Sequence, residues 1–213
     1  MGSCNSGGKG SDWTGGNSSV DSANIISTTS LVSAREGQQQ EVDEVLQTFK
    51  DINDEYGFII NDIELATIGG KDANTMAYYD GSNIAVNQAY FSKARIEGAY
   101  ERCVADGFHP PKGNKTALQA VASHELGHAL VDKVSTKMGR IKGDDTATAI
   151  LKEAQKQGKF KGSLADMAGK ISGYAKFNPN ECIAEAFSDV YCNGSKAQRE
   201  SKAIVNVMNK YLK

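Results

Sequence analysis

The sequence is short of the residues that staple a chain or anchor it in a membrane. Only four cysteines occur among 213 residues, Cys4, Cys103, Cys182 and Cys192, and none forms a CxxC pair. Such irregular spacing argues against a disulfide framework and against a thiolate zinc site. Free thiols then fit a reducing compartment better than an oxidising one. No run of ~18 apolar residues exists, which excludes a membrane-spanning helix. No apolar segment follows Met1, so no secretory signal is read and a cytoplasmic location is expected, with non-classical export or effector delivery left open. A large charge of one sign is also missing. The net charge of −2 supplies no basic field that would draw the chain to nucleic acid or to an acidic membrane. Tryptophan occurs once, as Trp13, and histidine only three times.

The apolar and charged fractions, 39% and 23%, are those of a folded chain, and the length suits one domain. Residues 1–36 are rich in Gly, Ser, Asn and Thr and are expected to be a flexible tail that buries little. Met1-Gly2-Ser3-Cys4-Asn5-Ser6 within it fits the loose N-myristoylation pattern; the plainer reading is a flexible start. The expected folded unit is 37–213, a monomer. Val42, Val45, Leu46, Phe49 and Ile52 recur at helical spacing, which predicts a helix over about 40–55. A strand over about 62–67 follows. Asp80-Gly81 between the β-prone runs 76–79 and 84–86 signals a hairpin. Helices are predicted over about 88–106, 115–138, 144–157, 163–171, 180–192 and 195–211. A few strands first and helices afterwards mean α+β architecture: a small N-terminal mixed sheet with a hairpin, then a mostly helical C-terminal half. The lysines between Lys133 and Lys176 read as a solvated helical surface or as a basic docking face.

Two of the three histidines sit in Ser123-His124-Glu125-Leu126-Gly127-His128, an HExxH pattern. On a helix, positions four apart share a face, so His124 and His128 can bind one ion from a single rigid element. Glu125, one step round, can reach a water on that ion and serve as general base without being a ligand. Thr116 and Gln119 are spaced as a capping box that would start this helix. Gly127 costs a helix about 1 kcal/mol relative to Ala, which is tolerable if another segment packs closely there. The plain alternative is two satisfied histidines on a core-facing helix.

A catalytic zinc site needs a third protein ligand and a position for water. Val134 stands where a metzincin would place its last histidine. His109, beside Pro110-Pro111, reads as a loop residue. Downstream, Glu181, Glu185 and Asp189 recur at every fourth position on one helical stripe after Pro179. Stacked acids repel one another, and a cation opposite them would remove that cost. A solvent-facing acidic stripe is the alternative.

HExxH followed by a helical glutamate is the gluzincin arrangement. Tyr174 through Phe187 resembles the metallopeptidase domain of anthrax lethal factor and its relatives, including the Pro-Pro endopeptidases. That group carries a tyrosine seven residues before the ligand glutamate and a second glutamate four residues on, within an Ala-Glu-Ala-Phe stretch; here these are Tyr174, Glu181, Glu185 and 184–187. The resemblance covers about 115–211, under half the chain. It implies a zincin-like fold and Zn²⁺ held by His124, His128 and Glu181. It further implies that Glu185 orients a ligand histidine and that Tyr174 donates to the developing oxyanion. A competing thermolysin-like register makes Glu185 the ligand and Asp189 the histidine's support. The expected activity is zinc-dependent endopeptidase cleavage of a peptide or protein substrate; the hairpin from Tyr78 to Val86 reads either as the edge along which that substrate lies or as an ordinary packed hairpin. The alternatives are a zinc-binding structural or interaction protein without turnover and a mobile-element or effector peptidase acting on one partner.

Overall fold

In the computed structural model, which describes residues 38–57, 60–140 and 143–213, the predicted helical spacing becomes helix α1 (Gln39–Tyr56). Val42, Val45, Phe49, Ile52 and Tyr56 are its buried face, and Gly57 ends it in the left-handed conformation at φ +54°. Among the described residues three strands follow: β1 (Asp62–Ala66), β2 (Ala77–Tyr79) and β3 (Asn83–Asn87). β3 is central, parallel to β1 and antiparallel to β2. The Asp80-Gly81 hairpin forms as expected. Asp80 Oδ1 accepts from the backbone N–H groups of Ser82 and Asn83 at 2.8 and 2.7 Å, and Gly81 takes φ +102°. The sheet is thus small and mixed, and β2 forms one of its edges.

The remainder is helical: α2 (Lys93–Ala105), α3 (Ala117–Met138), α4 (Asp144–Gly158), α5 (Leu164–Ala168), α6 (Pro179–Asn193) and α7 (Arg199–Leu212). α2 starts later than its sequence suggests. Asn87 holds a turn there instead, accepting from the Ala89 N–H at 3.0 Å and donating to the Thr75 carbonyl at 2.8 Å. A short 3₁₀ turn, Gly194–Lys196, occupies the predicted start of the last helix.

Helix α3 runs through the centre, against α1, α2, α6, α7 and β2. Fifteen of its 22 residues are buried, which explains why its sequence shows no single apolar stripe. Its closest neighbour is α6. A Cβ built on Gly127 would stand 2.9 Å from the Ala184 Cα and 3.3 Å from the Phe187 Cβ. The glycine inside HExxH is therefore the contact point of two helix backbones.

Among the described residues no helix is long and apolar enough to cross a membrane. The tail 1–36, with Trp13, Cys4 and the Met1–Ser6 pattern, lies outside the described residues. Cys103 corrects the reading of free thiols throughout, because it is disulfide-bonded, while Cys182 and Cys192 are free. The argument for a reducing compartment loses Cys103 accordingly. Lys133, the first of the lysine-rich stretch, donates to the Tyr56 and Gly57 carbonyls at 2.6 and 2.7 Å. It closes the end of α1 and is not part of a free basic face.

Gly127→Ala tests the crossing. On an open helix face this change stabilises by about 1 kcal/mol. Here the added methyl meets the α6 backbone, so urea unfolding should show a net loss of about 1–3 kcal/mol. A raised unfolding midpoint would mean that the two helices do not touch at this residue.

Candidate metal centre

The capping box expected at the start of α3 is present. The Thr116 hydroxyl accepts from the Gln119 N–H at 3.3 Å, and the Gln119 Oε1 accepts from the Thr116 N–H at 3.1 Å. From that fixed start, His124 and His128 project one turn apart, with ring centroids separated by 5.0 Å. Helix α6 begins as firmly. The Asn178 side chain accepts from the Glu181 N–H at 2.8 Å, and Pro179 occupies the first turn. Glu181 therefore leaves the first turn of α6 directly opposite the two histidines.

Its Oε2 lies 3.1 Å from His124 Nε2 and 3.4 Å from His128 Nε2. One atom from each of the three side chains falls within 4.8 Å of the others, so the group could hold a metal ion. Ligand bonds of about 2.0–2.2 Å in a tetrahedron put neighbouring donor atoms about 3.3–3.6 Å apart. The two distances at Glu181 are close to such edges. Two imidazoles and one carboxylate also form a donor set used by catalytic metal sites that keep a place for solvent.

One turn further along α6, Glu185 takes a different place. Its Oε1 lies 2.8 Å from His124 Nδ1, the ring nitrogen facing away from Glu181. Among the described residues that nitrogen has no aligned hydrogen-bond acceptor, so the approach is close but off-axis. The same Oε1 is 3.0 Å from His109 Nδ1, and Oε2 accepts from the Ser172 hydroxyl at 2.7 Å. Asp189, the third acid of the stripe, meets no histidine. Its Oδ1 accepts from Asn193 Nδ2 and its Oδ2 from the Gln198 N–H, each at 2.9 Å, so it holds the turn into α7.

His109 departs from its reading as an ordinary loop residue. It lies in the connection after α2, yet it is 6% exposed and its ring is parallel to that of Tyr100 at 5.4 Å. Ser172 has no signal in the sequence at all. Both arrive because two loops are joined: Gly173 N–H donates to Gly107 O at 2.8 Å, and Tyr174 N–H to Phe108 O at 3.0 Å. Gly173 permits this, since a Cβ there would stand 3.1 Å from the Gly107 carbonyl oxygen. The same junction brings the buried Tyr174 ring to 5.9 Å from the His124 ring.

Charge is concentrated here. Burial would depress the His124 imidazole, but Glu181 and Glu185 outweigh it and hold the group well above its ordinary pKa. Burial likewise opposes ionisation of Glu181 and Glu185. The histidines beside them prevail, and both carboxyls stay well below the usual range. Glu125 goes the other way: burial pushes its carboxyl up, against the pull of His124 and His128. The backbone of Tyr79, on the edge strand β2, pulls it down as well.

No protein-family model, curated protein or solved structure matches this chain. The functional reading therefore rests on the side chains and their geometry.

A divalent transition ion should stabilise the fold, by about 2.7 kcal/mol at a free concentration a hundred times Kd. Thermal melts with added ion and with chelator measure it. Glu181→Ala and His128→Ala should each abolish the difference. A wild-type melt that ignores both ion and chelator would rule out the centre.

Proposed function

We propose that this chain is a zinc-dependent endopeptidase of zincin-like, gluzincin type. The observation that carries the reading is the meeting of His124, His128 and the Glu181 carboxylate, with the buried Glu125 beside them on the same helix. Imidazole and carboxylate donors in a two-histidine, one-glutamate set suit zinc, with Glu185 placed behind His124 as an orienting carboxylate. Zinc bound by these residues would polarise a scissile carbonyl and lower the pKa of water toward ~7.

The protein's own groups account for the remaining steps. Glu125, whose carboxyl burial pushes up, takes a proton from the attacking water and delivers it to the leaving amine. Tyr174 donates its hydroxyl to the oxygen that gains charge as the carbonyl is attacked. The substrate backbone lies extended along the edge of β2. The packing of β2 against α3, the helix that carries Glu125, supports this placement. His128 is the more open of the two histidines, at 18% side-chain exposure against 7% for His124, so substrate approaches from its side.

Glu125→Gln should lower turnover of a peptide-library digest by about 10²–10⁴-fold. Zinc content, read by mass spectrometry, should be unchanged. Cleavage by the variant at the wild-type rate would dispose of the peptidase reading. Tyr174→Phe should reduce kcat by about 10²–10³-fold with little change in KM. Steady-state kinetics on one library-derived peptide would measure this, and a pure KM effect would remove Tyr174 from oxyanion stabilisation.

A further inference from the structure

Glu185 is gripped from two sides. Ser172 donates to one oxygen at 2.7 Å and His109 Nδ1 meets the other at 3.0 Å, while His124 Nδ1 faces that second oxygen at 2.8 Å. We propose that His109 is a positioning residue for the metal centre: its Nδ1–H fixes the Glu185 carboxylate in the orientation that faces His124. The proposal rests on the metal-centre reading above and adds a residue to it from a separate part of the chain.

Three observations carry it. An ionised carboxylate only accepts, so a ring nitrogen bonded to it must bear the proton. A glutamate carboxylate turns easily about its last torsion. Ser172 alone would hold one oxygen; His109 on the other fixes the plane. Second, His109 is itself immobilised. Its ring stacks on Tyr100 with 4° between planes and meets Phe108 and Tyr174 edge-on at 5.1 and 5.6 Å. Tyr100 in turn donates its hydroxyl to the Pro110 carbonyl at 3.0 Å, tying down the same loop. Third, an aromatic box of this kind would hold a phenylalanine as well. A buried imidazole there carries a desolvation cost that its bond to Glu185 offsets.

His109 thus bonds to Glu185, whose same oxygen stands 2.8 Å from His124 Nδ1 off the bonding axis, and His124 presents Nε2 to Glu181. A carboxylate behind a ligand histidine sets the tautomer and orientation of its ring. His109 acts one step further out, through that carboxylate and not on substrate.

The test uses the full chain and Zn²⁺ alone, in competition with a chromophoric chelator, with Co²⁺ absorption as a second readout. His109→Phe keeps the stacking and deletes the donor. His109→Asn places an amide nitrogen where Nδ1 stands; His109→Gln places it one atom further out. His109→Phe should bind zinc about 10–100-fold more weakly. Its Co²⁺ d–d bands should shift. His109→Asn should recover most of the loss, and His109→Gln should not. Wild-type affinity and an unchanged Co²⁺ spectrum in His109→Phe would overturn the positioning role and leave the metal centre standing. Failure of the wild-type chain to bind Zn²⁺ or Co²⁺ would overturn both. If His109→Phe does not fold, the Asn and Gln variants decide, and equal affinities in that pair would overturn the role.

Discussion

Two helix backbones must come close enough for carboxylates on one to stand against imidazoles on the other. The crossing of α3 and α6 meets that requirement at Gly127, where a methyl group would press on the Ala184 backbone. The glycine lies between the two histidines in sequence, and Ala184 lies between the two glutamates. Contact at this pair therefore centres both motifs on one point. It turns Glu181 toward Nε2 of both histidines and leaves Glu185, a turn later, against Nδ1 of His124. A wider crossing would separate all four groups at once, because each is set by its own helix and none by a mobile loop.

The second consequence is electrostatic. Glu181 and Glu185 are 2% and 1% exposed, and buried carboxylates are costly unless positive charge and hydrogen bonds meet them. The hydrogen bonds come from Ser172, His109 and His124. Positive charge can come from a protonated imidazole or from a cation at the three converging donors. A packed apolar pair would have served stability as well or better. Retaining two acids and two imidazoles at the middle of the core therefore points to binding, in contrast with Asp189. That acid, on the same stripe, is spent on a helix-to-helix turn.

The parts of this arrangement that lie on one helix, or on one short stretch of chain, were legible in the sequence. The Thr116 capping box, the Asp80-Gly81 hairpin, HExxH and the Pro179 start of α6 are local rules, and each formed as its spacing implies. The glycine in the motif announced a close neighbour without naming Ala184. Local rules could not reach His109 or Ser172, because their partner is 76 and 13 residues away and nothing periodic connects them. Nor could they separate Glu181 from Glu185 as the group beside Nε2. Both lie on one face four residues apart, and only the crossing point of the helices distinguishes them. The partners of Asp189 and the bonding of Cys103 were out of reach for the same reason: a stripe or a spacing records which residues share a face, not what meets that face.

The sheet contributes less to the core than the helices, yet its edge is what gives Glu125 a second kind of neighbour. β3 takes the two remaining strands on its two sides, so β2 is left at the margin, resting on α3. The Tyr79 backbone on that strand helps hold the Glu125 carboxyl down against its burial. In the proposed reading, an extended chain laid along that edge pairs by the same backbone hydrogen bonds that build the sheet. A buried carboxyl subject to both a strand backbone and two histidines is more than a core acid needs. The proposed peptide hydrolysis gives a use to both that burial and that strand, which metal binding alone would not.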